Sequence, residues 1–231
     1  MKIFKTTLIV IIGIVLMLDA FLLPFQFLAF DEGYYYKLFS ELKVHEQIGI
    51  DDAALNRITQ ALVSYIDNGS GDITLKESVN GNEVQFYNDK EIQHLHDIQV
   101  LVKAARSFLV WMNILMLLCI ILLWWNGRDN ATHLIKDLFR PFKYAFFMTI
   151  VALCGLISLY FIDFDWAFRK FHEIFFTNDL WLLDPKTDRL IMLMPLEFFI
   201  TFVSKWLTSV SIILAVYFTA GYFAPRNLLN R

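Results

Sequence analysis

Four long apolar runs dominate the pattern of this chain, near residues 7–30, 106–125, 142–164 and 198–223, and the polar positions gather between them. A hydrocarbon core of about 30 Å is crossed by about 20 helical residues at about 1.5 Å each, so each run predicts one membrane-spanning helix. The first run follows Lys2 and Lys5, as a secretory signal would. It is longer than the apolar part of such a signal and has no small-x-small site before Asp31, so it is expected to stay as a permanent span.

Between the runs the period changes. Residues 51–66, DDAALNRITQALVSYI, place Leu55, Ile58, Leu62 and Ile66 at helical spacing behind a start signal at Asp51 or Asp52, and the pattern closes at Asn68 to Gly71. The following DITLKESVNGNEVQFY predicts a hairpin about Asn80-Gly81. One amphipathic helix and one hairpin are therefore expected as a small cap. From Lys90 the pattern is helical again and runs without Pro or Gly into the second span; His94, Ile98 and Leu101 share one face of it, His96 points away, and Asp97 is spaced to reach the His94 ring.

Beyond the third span, Phe164, Phe168, Phe171 and Phe175 form a stripe at helical spacing, which predicts that the helix continues along the membrane interface with His172 at the polar edge of an apolar wall. Trp181 to Pro195 reads as a turn-rich polar loop. Asn126 to Pro141, which holds His133, reads as a solvated loop, and the aromatic stretch from Phe21 to Tyr36 reads as an interfacial belt.

Composition agrees: 57% of the residues are hydrophobic and 19% charged, far from an ordinary soluble domain. Lys2, Lys5, Arg128, Lys136, Arg140, Lys143, Arg226 and Arg231 flank alternate span ends, which predicts both termini in the cytoplasm. The net charge of -3 then divides into a basic inner face, suited to anionic lipid headgroups, and an acidic outer face, and nucleic acid is not an expected partner. The fold class expected is an all-α membrane protein, a four-transmembrane-helix bundle with a small extracytoplasmic α+β cap. Its parts are 1–30, cytoplasmic N-terminus and first span; 31–105, the cap; 106–164, second and third spans with an inner loop; 165–197, an extracytoplasmic histidine-bearing helix and loop; and 198–231, fourth span and cytoplasmic C-terminus.

Candidate chemistry narrows to histidine. Cys119 and Cys154 each fall inside a span, form no CxxC pair and read as small apolar residues. There is no GxSxG elbow, HExxH, Gly-rich phosphate loop or helical pair of acids within a span, so covalent catalysis is not expected. His94 and His172 both precede or follow a span on the predicted outer side. Histidine, with an ordinary pKa of about 6.5, suits taking a proton from a nucleophile that the substrate supplies, such as an α-amine of pKa near 8, and returning it to a leaving group. Two other readings stay open on the residues alone: a metal or haem site using His94, His96 and His172, and a non-catalytic membrane adaptor whose cap binds a partner.

The segments KEIQHLHDI before the second span and FHEIFFTNDLWLLDPKTDRLIMLMP between the third and fourth resemble the lipoprotein intramolecular transacylase (Lit) family of Gram-positive bacteria, and the resemblance extends over essentially the whole chain. It implies one histidine before the second span and one after the third, here His94 and His172, and an extracytoplasmic site that uses no cofactor or metal. The implied reaction moves the sn-2 acyl chain of a diacylglyceryl-cysteine lipoprotein to the α-amine of the same cysteine, giving the lyso-form. Ester and amine sit on one substrate, so proximity supplies much of the rate. The expected roles are His172 as base and His94, oriented by Asp97, as proton donor, with the reverse assignment equally open. Tyr34, Arg106, Asn178 and Trp181 are candidates for supporting contacts, and Asp184 is carried with them from the Asp-Pro of the second segment. The expected partners are the lipoprotein and membrane lipids.

Overall fold

The computed structural model describes residues 2–229, apart from the side chains of Tyr160, Asn227 and Leu229; Arg231, one of the basic residues used for orientation, lies outside the described residues. In chain order the elements are α1 (Lys2–Ala29), α2 (Glu32–Glu41), α3 (Val44–Ile48), α4 (Asp52–Asn68), β1 (Lys76–Val79), β2 (Asn82–Gln85), α5 (Asp89–Gly127), α6 (Ala131–Ile162), α7 (Phe164–Phe175), α8 (Arg189–Leu193), α9 (Leu196–Tyr222) and α10 (Ala224–Leu229). Among the described residues four helices, α1, α5, α6 and α9, are long and apolar enough to cross a membrane.

The chain divides into two compact units. The first comprises residues 1–25, 106–164 and 206–231, and the second residues 26–105 and 165–205.

In the first unit, Leu8, Ile9 and Ile12 of α1 pack with Cys119 and Leu123 of α5. Ala20, Ala145 and Tyr217 form a second cluster. Small residues permit the contact between α1 and α6: a Cβ on Gly13 would lie 3.0 Å from the Tyr144 Cβ and 3.3 Å from the Pro141 carbonyl oxygen. Several polar groups are tied to backbone or to each other. Trp206 Nε1 donates to the Phe21 carbonyl at 2.8 Å, the Tyr217 hydroxyl donates to the Leu16 carbonyl at 2.6 Å, and Asn113 Nδ2 donates to Asp19 Oδ1 at 3.0 Å.

One expectation fails here. Residues 126–141 are not a solvated loop, because only Arg128 to Asn130 separate α5 from α6, and His133 sits in the first turn of α6. The Asn130 side chain accepts from the His133 amide at 3.1 Å and its carbonyl accepts from Leu134 N at 2.9 Å, which starts the helix at Ala131, well before Pro141. Pro141 lies inside α6, as proline can in a membrane helix. Cys119 is buried as expected, whereas Cys154 is exposed on the surface of α6.

The second unit contains more structure than one helix and a hairpin. α4 is capped by Asp51, whose side chain accepts from Ala54 N at 2.7 Å, and it ends at Gly69. Leu55, Ile58 and Leu62 of α4 are completely buried. The hairpin pairs Val79 with Asn82 across Asn80 and Gly81, both at positive φ as a tight two-residue turn requires. Of the residues read as an aromatic belt, Phe21 to Ala29 end α1 and Tyr34 to Tyr36 begin α2, which Asp31 caps by accepting from Tyr34 N at 2.9 Å; Tyr35, Leu38 and Phe39 at spacings of three and one make its buried face. Tyr35 and Phe39 pack on Phe198 of α9 at ring separations of 5.3 Å each.

Candidate active site

α5 begins five residues before His94 and continues into the apolar run 106–125, so His94 stands ahead of the part that crosses the membrane. Its ring is buried at 5% exposure, while His96 two residues on is exposed, as the helical phase requires. α7 supplies His172. It does not continue α6 without a break: Asp163, extended at φ -161° and ψ 88°, separates the two helices. The buried face of α7 also differs from the predicted stripe. Phe171 and Phe175 are 45% and 49% exposed, whereas His172 and Phe176 are buried. The inward line is Phe168, His172 and Phe176, an i, i+4, i+8 series that was present in the sequence beside the one chosen.

The two imidazoles meet. Their ring centroids are 6.0 Å apart, and Phe176 lies 5.1 Å from His94 and 5.6 Å from His172. Trp181 stacks on His172 at 4.9 Å, and Phe168 lies 4.2 Å from it on the same helix. Phe168 in turn packs edge-on against Phe199 of α9 at 5.1 Å.

Hydrogen bonding fixes one ring. His172 Nδ1 lies 2.7 Å from the Phe168 carbonyl oxygen. A carbonyl can only accept, so Nδ1 carries the proton and Nε2 keeps its lone pair. His94 Nδ1 is buried with no hydrogen-bond partner. Burial pushes the His94 pKa down to about 4, helped by the neighbouring His172 and opposed by Asp97. Burial also lowers His172, against the Phe168 carbonyl bond that favours its protonated form. Both rings are therefore neutral at pH 7.

Asp97 is not hydrogen-bonded to His94. Its Oδ2 accepts from Asn178 Nδ2 at 2.9 Å, because it lies on a more exposed part of the helix than His94, facing the loop that follows α7. The other supporting candidates separate. Trp181 joins the site. Asp184 shapes the loop, with Oδ1 accepting from Lys186 N at 2.9 Å and its own amide donating to Asp188 Oδ2 at 2.8 Å. Tyr34, with Lys205 Nζ 3.8 Å from its ring centroid and its hydroxyl buried without a partner, packs against Phe202 instead. Arg106 belongs to the other unit. His96 Nδ1 lies 3.5 Å from the Tyr65 hydroxyl, away from the pair.

Sequence reasoning missed the clasp that holds this region. Glu91, one turn before His94 and 1% exposed, accepts from Leu190 N at 2.6 Å and Asn88 N at 2.7 Å. Asp188 Oδ1 accepts from Asn88 Nδ2 at 2.9 Å, Lys90 Nζ donates to the Leu182 carbonyl, and Arg189 reaches the Gln85 and Phe86 carbonyls at 3.1 and 2.8 Å. The available signal was Glu91 at i−3 from His94, on the same helical face.

The family profile of the lipoprotein intramolecular transacylase Lit matches residues 10–199. A search of curated proteins gave no match. Among solved structures, the membrane integral lipoprotein intramolecular transacylase Lit from Bacillus cereus is similar with a TM-score of 0.81 at 15% identity, covering 100% of both chains. Variants of that protein with one histidine replaced by arginine or by alanine are similar with TM-scores of 0.73 and 0.71 at 16% and 17% identity; each covers 98% of this chain, and this chain covers 95% and 94% of them. At these identities the structural likeness establishes the four-helix membrane fold, and the profile establishes the lineage. The chain belongs to the lipoprotein intramolecular transacylase family, membrane-integral acyltransferases that move an acyl chain within one lipoprotein.

Proposed function

We propose that His172 is the base and His94 the hydrogen-bond donor of the transfer, and that the substrate is a diacylglyceryl-cysteine lipoprotein whose own α-amine is the nucleophile. The observation that carries this assignment is the bond from His172 Nδ1 to the Phe168 carbonyl, which leaves Nε2 of a neutral ring as the acceptor 6.0 Å, centroid to centroid, from the second imidazole. His94, held lower in pKa at about 4, is the poorer base and serves through its single N–H.

The steps balance without a cofactor. The neutral α-amine attacks the sn-2 ester carbonyl, and its N–H proton passes to His172 Nε2 as the C–N bond forms. His94 donates to the carbonyl oxygen while that oxygen carries negative charge. The ester C–O bond then breaks, and the His172 imidazolium, which burial disfavours, returns its proton to the departing glyceryl oxygen. An amide and a free hydroxyl remain on one molecule. Acyl chains lie along the outer face of α7, where Trp166, Phe171, Ile174 and Phe175 are 49%, 45%, 75% and 49% exposed.

The site is on the extracytoplasmic side with both termini in the cytoplasm. Lys2, Lys5, Arg128, Lys136, Arg140 and Arg226 at alternate helix ends support that orientation. Reporters fused after Arg231 and after Asn88 test it: the first is expected to be active only in a cytoplasmic form, the second only in an outer form. The roles are tested by following conversion of a reporter lipoprotein to the lyso-form by mass spectrometry. His172→Ala is expected to lower the rate by about 10²–10⁴, the usual contribution of a positioned base, at normal protein level; undiminished conversion by that variant removes the proposal.

A further inference from the structure

Asn178 uses both ends of its side chain. Nδ2 donates to Asp97 Oδ2 on α5 at 2.9 Å, and Oδ1 accepts from the Leu180 amide at 3.1 Å. The second bond closes a local turn of the kind asparagine side chains make two residues ahead, and the next residue is Trp181, the indole that stacks on His172 at 4.9 Å. One carboxamide thus connects the helix of one histidine to the ring that covers the other. Along α5 the loop is fixed on both sides of His94, by Glu91 three residues before it, with Lys90 alongside, and by Asp97 three residues after it.

The two attachments differ. Glu91 is 1% exposed and binds the Leu190 amide at the far end of the loop, so it acts as an anchor. Asp97 and Asn178 face solvent more openly, and a single hydrogen bond joins them. Between them the Asp184 and Asp188 bonds tie residues 184–188 and Lys90 Nζ holds the Leu182 carbonyl, while the Asn178 turn ahead of Trp181 is tied to α5 by the bond to Asp97.

We infer that Asp97 and Asn178 are a positioning pair for the acyl transfer, fixing the turn that holds Trp181 over His172. The pair touches neither imidazole, and it acts by keeping the indole in place so that the His172 ring presents Nε2 in one orientation. This rests on His172 being the reacting base.

The chemistry of the pair supplies its own test, because donor and acceptor can be exchanged. Asn178→Asp keeps an acceptor for Leu180 N but sets two carboxylates against each other. Adding Asp97→Asn restores a donor opposite that acceptor, with the amide now on α5 and the carboxylate on the loop. In membranes containing the full chain and a synthetic diacylglyceryl-cysteine peptide, Asn178→Asp is expected to lower turnover by about tenfold, on the scale of a sub-ångström misplacement of a reacting group, with a smaller change in KM. The exchanged pair Asp97→Asn with Asn178→Asp recovers most of that loss, and Asp97→Ala with Asn178→Asp does not. Full turnover in Asn178→Asp, or an exchanged pair no better than Asn178→Asp alone, overturns the inference. His172→Ala in the same series separates the two readings: if it converts substrate normally, the assignment of the base has failed, whereas a dead His172→Ala beside an unaffected Asn178→Asp rejects the positioning pair alone.

Discussion

The two units of this protein solve opposite problems. The spanning unit buries Leu8, Ile9, Ile12, Leu123 and Val210 and keeps few buried polar side chains, among them Asp19 and Thr149. Lipid tails offer helices no hydrophobic reason to associate, so contact comes from close approach, as at Gly13, and from a few internal hydrogen bonds. The other unit has an interior of the soluble kind, with Phe39, Leu55, Ile58, Phe86 and Tyr87 completely buried, and into it are set Glu77, Glu91, His94, Gln99, His172 and Asp188. Buried polar groups are expensive unless they are paired, so each needs a stated partner or a stated use. Glu91 and Asp188 have partners. His94 Nδ1 has none, which fits the proposed role of that ring as a donor to substrate.

The sharpest way to break that contrast is to compare two histidines on one helix. His94→Ala is expected to lower lyso-lipoprotein formation by about 10²–10⁴, because it removes a donor from the reacting pair. His96→Ala, exposed and beside Tyr65, is expected to stay within about twofold of wild type, as a surface substitution should. Equal losses in the two variants, measured as initial rates at matched protein level, would mean that burial on α5 does not mark the functional face.

That face was legible in the sequence because helical phase alone separates His94 from His96. The four spans were legible for a similar reason: nothing but lipid accommodates such runs. The inner loop was misread because Pro141 carries a strong stop signal in water and a weak one in a membrane, and the Asn130 cap was passed over. The inward face of α7 was not legible, because seven aromatic residues within 161–176 allow two lines at helical spacing, and only the partners His94, Trp181 and Phe199 select the one through His172. The clasp from Glu91 to Leu190 joins positions 99 residues apart, and no local pattern encodes such a pairing.

Glu91→Ala tests that clasp. It leaves the Leu190 and Asn88 amides without their shared acceptor, and hydrogen bonds to a charged group are worth about 1.5–3 kcal/mol each. A loss of about 3 kcal/mol, read as lower Tm and lower yield, is expected, with Glu91→Gln intermediate because its one oxygen can serve only one amide. A Tm equal to wild type in Glu91→Ala would show that the loop is held by packing alone.

The neutral histidines give a pH dependence with a fixed sign. His94 titrates near 6.5 when unfolded and at about 4 when folded, so between those values the unfolded chain holds more protons. Stability is then fully present above about pH 6.5 and declines as pH falls towards 4, by up to about 1.4 kcal/mol per pH unit from this group. His172, also lowered, acts in the same direction. Thermal unfolding in detergent between pH 7.5 and 5 is expected to show a falling Tm, and His94→Gln to flatten it. A Tm that rises on acidification would contradict burial of the neutral rings. Turnover is expected to fall on acidification for a separate reason, because the attacking α-amine, with an ordinary pKa of about 8, becomes protonated while the His172 base form persists.

The smallest effect is expected in the spanning unit, where one polar tie can be removed without touching the site. Asn113→Leu deletes the donor to Asp19 Oδ1, and the same Nδ2 also reaches the Leu109 carbonyl at 3.1 Å within its own helix. Interhelical hydrogen bonds in membranes average about 0.6 kcal/mol and reach about 1.7, because the separated helices find other partners. A Tm lowered by a few degrees with unaltered turnover is therefore expected. Asp19→Leu combined with Asn113→Leu should be more stable than Asn113→Leu alone, since removing both partners leaves no buried carboxyl without a donor. If Asn113→Leu instead cost turnover as His94→Ala does, the spanning unit would be more than a scaffold, and the division of labour between the two units would have to be redrawn.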